Sequence, residues 1–258
     1  MTRHIDLVAD LGEGFGSWSM GDDSALLDVV SSANIACGFH AGDPRIMDRT
    51  VAGCVSRGVN IGAHPSFPDL VGFGRRTVEA SAEEVRTDVI YQLGALQAFA
   101  HAHGGRVAHL APHGRLGNLV AVRDDYARAV VDAISQVDPD LIVFAQDGEL
   151  ASQAASAGLP VAIVGIADRA YRSDGALVPR TEPGAVITDG AEIARRAIRI
   201  VEDGVVETVD GGTIPIVADT LLLHGDSTEA VNVSQTVRAR LEDAGITITP
   251  LDADRLRS

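Results

Sequence analysis

Residues 31–44 read SSANIACGFHAGDP, and this stretch holds a complete strand-to-helix unit in miniature. Ser31–Ala36 is a short run of small and apolar residues with little alternation, the pattern of a strand covered on both faces. Asn34, Cys37 and His40 then bring reactive side chains to its C-terminal end. Asp43-Pro44 supplies an N-cap followed by proline at the first helical position, and Gly58 is a natural stop for the helix that follows. A strand, a loop carrying chemistry and a capped helix together predict a parallel βα architecture.

The same unit recurs in both directions along the chain. Further strands are predicted at Ile5–Ala9, Val59–Ala63, Val107–Ala111, Leu141–Ala145, Pro160–Ile166 and Asp219–Leu223. Ser81-Ala82-Glu83-Glu84 is a capping box opening a helix that runs to about Gly104, with Val85, Val89, Leu93 and Leu96 on its apolar face. Helices are also predicted at Asp124–Gln136, Gly148–Ala157, Ala191–Glu202 and Ser227–Ala244, the last stopped by Gly245. Between Val205 and Val217, Asp210-Gly211 flanked by β-formers predicts a hairpin. An open doubly wound sheet and a closed barrel both fit this alternation. Reactive residues end nearly every strand, which favours a barrel, whose strand C-termini all open onto one cavity. The expectation is one domain over residues 1–258, a TIM-like (β/α)7 barrel of the glycoside hydrolase/deacetylase type.

Composition narrows the function. The formal charge of −15 argues against nucleic-acid or anionic-membrane partners. All 21 basic side chains are arginine, which excludes a Schiff-base lysine and the phosphate loop whose lysine grips a nucleotide. Two cysteines without CxxC spacing fit a reducing cytoplasm. The N-terminus carries acids where a signal peptide needs an apolar run, and no apolar stretch is long enough to span a bilayer.

Chemistry collects at the strand ends. Asp10 and Glu13 follow the first, within Gly12-Glu13-Gly14-Phe15-Gly16. The third glycine is misplaced for a dinucleotide fingerprint, so a tight loop presenting the two acids is the better reading. Cys37 is either a small buried residue or a thiolate activated by His40. His64-Pro65-Ser66 and Pro112-His113-Gly114 each set a histidine just past a strand, where general acid–base work is expected. Asp168, Arg169, His224 and Asp226 close the later strands, and Arg180 lies on the longest loop, a candidate lid. Arg75, after Gly72-Phe73-Gly74, is placed to clamp an anion. Asp10, His40 and His64 are the candidate ligands if a divalent metal is bound, although no HxxxH or HExxH spacing calls for one. His4 and His109 read as structural, and His101 and His103 as solvent-facing or capping.

The segments DLGEGFG (10–16), SANIACGFHAGDP (32–44), IGAHPSFPDLVGFGRR (61–76), YQLGAL (91–96), PHG (112–114), ADRAYRSDGALVPR (167–180), PGAVI (183–187) and HGD (224–226) resemble the LamB/YcsF family over essentially the whole chain. The resemblance implies a seven-stranded (β/α) barrel related to the polysaccharide deacetylase fold. It also implies ATP-dependent opening of 5-oxoproline to glutamate, as the A component of a 5-oxoprolinase beside partner subunits B and C. ATP is then a co-substrate, and magnesium or another divalent ion a possible companion. On that reading Asp10, His40, His64 and His113 position water and move protons. Glu13, Asn34, Cys37, Arg75, Asp168, Arg169, Arg180, His224 and Asp226 form the substrate pocket. A stand-alone metal-dependent amidohydrolase or deacetylase, and a catalytically altered binding component, are the alternatives.

Overall fold

The computed structural model describes residues 3–225 and 229–256. The chain runs β1 (Arg3–Leu11), α1 (Asp23–Leu27), β2 (Ser32–Ala36), α2 (Pro44–Arg57), β3 (Asn60–His64), α3 (Ala82–Ala102), β4 (Val107–Leu110), α4 (Gly114–Val120) and α5 (Asp124–Val137). It continues through β5 (Ile142–Ala145), α6 (Glu149–Ser156), β6 (Val161–Ile166), α7 (Gly190–Asp203), β7 (Val205–Glu207), β8 (Thr213–Pro215), β9 (Thr220–Leu223), α8 (Ala230–Asp243), β10 (Ile246–Ile248) and α9 (Ala253–Leu256).

Strands β1 to β6 pair in order, all parallel, and β9 joins β6 to β1. The register Asp6↔Thr220 to Ala9↔Leu223 closes the ring and rules out the open sheet. The expected seven-stranded (β/α) barrel is therefore the observed one. β1 is long enough to serve two partners: its first residues, Arg3 to Ile5, pair instead with β10. β7 and β8 form the predicted antiparallel hairpin outside the barrel.

Local chemistry explains the helix ends. The Asp43 carboxylate accepts from the Arg45 and Ile46 amides, and Gly58 ends α2 in the left-handed region at φ 68°. Ser81 and Glu84 form a reciprocal capping box at α3, a device whose loss typically costs about 1 kcal/mol. Each helix turns an apolar face to the barrel: α7, for example, buries Ile193, Ala194, Ala197 and Ile200. Around the ring α3 packs on α5 and α7 on α8.

Short elements escaped the sequence reading. α1 has five residues, α4 seven and β10 three, too few for a helical or strand period to register. No described helix is long and apolar enough to cross a membrane.

Side chains alternate along each barrel strand, and this positions the site. Asp6 and Asp10 of β1 both turn to the interior, where Asp6 meets Ser32 and Thr220 and Asp10 meets Asn34 and His64. Leu7, Ala9 and Leu11 belong to the opposite face and are fully buried. One level is thus deep in the barrel and the other opens at the C-terminal mouth.

Candidate functional site

Three imidazoles and two carboxylates meet at that mouth. His64 Nε2 lies 3.3 Å from Asp10 Oδ1. His113 Nδ1 lies 3.0 Å from His64 Nε2 and 3.4 Å from Glu13 Oε1. His40 Nε2 lies 3.1 Å from Glu13 Oε1, and its ring stacks on His113 with centroids 3.8 Å apart. All five residues are buried. The four positions singled out for acid–base work, from β1, the β2–α2 loop, β3 and the start of α4, are thus brought within reach of one another.

Backbone carbonyls fix the proton positions. His64 Nδ1 faces Ala111 O at 2.6 Å, and His113 Nε2 faces Phe73 O at 2.9 Å. A carbonyl has no proton to give, so each of those ring nitrogens carries the hydrogen. In the neutral rings His64 Nε2 and His113 Nδ1 are then lone pairs directed at each other. Asp10 Oδ1 and Glu13 Oε1 add negative charge to the same space. Acceptors in such excess need a cation among them, either a shared proton or a metal ion.

The donors fit a metal. Glu13, His40, His64 and His113 each offer a ligand atom, all within 4.8 Å of one another. Imidazole nitrogen and carboxylate oxygen are the ligand types of zinc and related divalent ions. The Ala111 and Phe73 carbonyls hold the far sides of two rings, as outer partners of metal-binding histidines do. His40 presents Nε2 to Glu13, while its Nδ1 is buried without a hydrogen-bond partner.

Ionisation follows the surroundings. Burial alone would raise the Asp10 pKa, but once a proton sits on His64 Nε2 the His64 charge and the hydrogen bond it then donates, with charge on His224 and His113, bring it below the ordinary carboxylate value. Burial, with the neighbouring His64 and Arg75 charges, holds His40 well below an ordinary histidine. Burial likewise dominates at His113, joined by repulsion from His40 and His64, and keeps it low.

A loop from the third βα connection roofs the cluster. Phe73 takes φ 55°, a left-handed conformation uncommon for a bulky residue, and its ring meets His40 and His113 edge-on at 5.6 and 5.2 Å. Gly74 follows at φ 63°; a β-carbon there would come within 2.3 Å of Ser66 Oγ and 2.9 Å of His113 Cδ2. Only glycine allows the roof to sit this close. Asp69 anchors the turn by accepting from the Gly72 and Arg76 amides and the Arg76 guanidinium. Arg75 lays its guanidinium over the Phe73 ring at 4.7 Å.

A second pair stands across the mouth. His224 Nδ1 donates to Asp168 Oδ2 at 2.8 Å, and the His224 amide donates to the same oxygen at 3.1 Å. Burial lowers the His224 pKa, yet the Asp168 charge and hydrogen bond, helped by Asp10, more than reverse this and the net shift is upward. Arg180 acts on both partners from the long loop.

The LamB/YcsF family profile matches residues 5–255. The chain belongs to that family. Among LamB/YcsF relatives, the 5-oxoprolinase A-subunit of Mycobacterium avium is 50% identical over 95% of this chain and 97% of its own length. One of the 5-oxoprolinase A-subunits of Pseudomonas syringae pv. tomato is 47% identical over 98% of this chain and 99% of its own. The crystal structure of the lactam utilization protein from Thermus thermophilus superposes with a TM-score of 0.91 at 43% identity, covering 96% of this chain and all of that one.

The structure revises several expected roles for residues of this LamB/YcsF chain. Cys37 donates its thiol to Ile35 O at 3.1 Å and burial pushes its pKa up to about 12, which fits the small buried residue rather than the activated thiolate. Arg169, expected in the substrate pocket, holds the β6–α7 loop: it donates to Ala185 O at 3.0 Å and Val178 O at 2.5 Å. Arg196 braces the same loop through the Ala167 and Arg169 carbonyls, so the stretch expected to act as a lid is tied down at its base. Asn34 has its amide nitrogen on Asp10 and its oxygen on His109, at 2.9 Å each, and serves the site from within. Glu13 and His113 join His40 and His64 in the metal-compatible set in place of Asp10. His109, read as structural, connects directly to Asn34 in the polar interior. Asp226 lies outside the described residues.

Proposed function

We propose that this chain is the A component of a multi-subunit 5-oxoprolinase and carries the site where 5-oxoproline is opened to glutamate at the expense of ATP. The observation that carries the reading is the division of the barrel mouth into an acceptor-rich cluster and a separate histidine donor paired with Asp168. Opening a lactam needs both, because water must lose a proton as it attacks and the ring nitrogen must gain one as it leaves. Relatives that bear the name of the 5-oxoprolinase A-subunit match nearly the full chain, which supports the same assignment.

A five-membered lactam is a stable amide. Transfer of the γ-phosphoryl group of ATP to the lactam oxygen would activate it. Water then adds to the ring carbon, the carbon–nitrogen bond breaks with a proton delivered to nitrogen, and a second water releases phosphate. Asp10, held 3.3 Å from His64 Nε2, takes the proton of the attacking water. His224, whose pKa the Asp168 charge and hydrogen bond raise, gives one to the departing nitrogen. Arg75 and Arg180, which both act electrostatically on the mouth, receive the substrate carboxylate. Glu13, His40, His64 and His113 would hold a divalent ion, which supplies Lewis-acid polarisation of a carbonyl or phosphoryl oxygen when bound. The chain has no lysine, so subunits B and C supply much of the nucleotide grip. Both cysteines are free and buried, in keeping with a cytoplasmic setting.

The test is reconstitution. The chain assembled with its B and C partners is expected to release glutamate from 5-oxoproline only with ATP, and an intact complex without that activity overturns the proposal. The metal-compatible cluster favours one other reading, a stand-alone metal-dependent amidohydrolase. Turnover by the isolated metal-loaded chain without ATP would establish it.

A further inference from the structure

Beneath the mouth a single file of hydrogen bonds crosses three strands. His109 Nε2 lies 2.9 Å from Asn34 Oδ1, and Asn34 Nδ2 lies 2.9 Å from Asp10 Oδ1. His109, Asn34 and Asp10 are 0%, 2% and 5% exposed. The Asp10 carboxylate accepts, so the Asn34 amide must turn its NH2 towards it and its oxygen towards His109. That oxygen needs a donor, which sets His109 in the tautomer with hydrogen on Nε2.

The surroundings are shaped for this ring. Position 62 on the adjacent strand is glycine, and a β-carbon there would lie 1.9 Å from His109 Nε2. Phe144 stacks on the opposite side with centroids 4.0 Å apart and planes within 14°. His109 Nδ1 is buried without a hydrogen-bond partner. A buried orphan of this kind is costly, so an apolar residue would serve packing better. The side-chain hydrogen bond His109 makes is the one to Asn34 Oδ1.

We propose that His109 is a positioning residue whose Nε2–H locks the Asn34 amide and thereby holds Asp10 in the orientation that meets His64. The inference rests on Asp10 acting in the reaction proposed above, but the hydrogen-bond file can be tested without turnover. Outer partners of this type commonly contribute about 10–100-fold to the function of the group they orient.

The experiment has two arms. In the first, ring nitrogen-15 shifts of the isolated, selectively labelled chain are expected to show neutral His109 with its hydrogen on Nε2. Hydrogen on Nδ1 would overturn the proposal whether or not the complex is active. In the second, kcat and KM are measured for the assembled complex. His109→Leu is expected to lower kcat about 10–100-fold with KM changed less than about threefold. His109→Gln, whose amide nitrogen can replace Nε2 as donor, is expected to recover most of that loss. In an Asn34→Ala background, His109→Leu is expected to change kcat less than about twofold, because the route to Asp10 is already cut. Full activity in a folded His109→Leu, no recovery by a folded His109→Gln, or additive losses in the double variant would each overturn it. A wild-type complex without turnover would instead defeat the reaction assignment and leave the first arm to decide the file. Should His109→Leu fail to fold, His109→Gln and the spectrum still decide it.

Discussion

Asp6 and Asp10 sit four residues apart on one strand, face the same interior and are both buried, yet their ionisation is displaced in opposite directions. Around Asp6 the neighbours are hydroxyls: Ser31, Ser32 and Thr220 donate at 2.7, 2.6 and 2.6 Å. Burial outweighs these neutral donors and the Asp6 pKa is raised. Around Asp10 the neighbours are imidazoles that can carry charge, and the same burial is overcome. Depth therefore does not decide the state of a buried carboxylate; the charge its neighbours can bear does. The lower level of the barrel is a plug of hydroxyls around Asp6, and the upper level is a cluster of imidazoles and carboxylates.

Four measurements would sharpen or break that contrast. The largest effect is expected at Asp10: Asp10→Asn should lower kcat of the assembled complex by about 10²–10⁴-fold, the usual reach of general acid–base catalysis. Asp6→Asn should stay within about twofold, because the hydroxyl plug lies outside the proton path. Equal losses would erase the distinction between levels.

Metal binding should separate the levels next. Zinc at about 100 times its dissociation constant is expected to stabilise the wild type by ~2.7 kcal/mol, or roughly 5–10 °C in Tm. Asp6→Asn should respond alike, and Glu13→Ala/His113→Ala should not respond. An undiminished shift in the double variant would remove the cluster as the binding place.

Asp168, another buried carboxylate, extends the comparison. It raises the His224 pKa, so His224 stays protonated to higher pH and activity is lost as pH rises through that raised value. Asp168→Asn should move the alkaline limb of kcat towards acid. An unmoved limb would deny His224 the donor role.

The smallest effect is in stability against pH. Asp6 has a raised pKa, so its unfolded form ionises first and native stability declines as pH rises from about 4 towards the raised value, by at most ~1.4 kcal/mol per pH unit. Asp10 has a lowered pKa, so its contribution is present above about pH 4 and lost on acidification. Relative to wild type, Asp6→Asn should gain as pH rises from about 4, and Asp10→Asn should gain as pH falls below it. Denaturant unfolding along a pH series would show slopes of opposite sign, and parallel slopes would contradict the ionisation contrast.

Much of this was legible beforehand. The apolar runs marked all seven barrel strands because parallel strands, covered on both faces, cannot alternate. Asp43-Pro44, Gly58 and Ser81–Glu84 marked helix ends because capping is satisfied within a few residues. Asp10, His40, His64 and His113 could be grouped because a barrel directs every strand end to one mouth.

What the sequence could not give depends on partners distant in the chain. Ala111 O and Phe73 O set the tautomers of His64 and His113, and neither carbonyl has a side-chain signature. His109 meets Asn34 across 75 positions, so a residue that read as filler became part of the site. Cys37 read either as a small buried residue or as a thiolate beside His40, and the fold, which gives its thiol to Ile35 O, selects the first. The sequence by itself determined the strands, the helix stops and which side chains gather at the mouth, since pleat, period and cap are local properties. Which of them ionise, donate or hold others in place was decided by the closed barrel alone, because those properties belong to the neighbours that closure brings together.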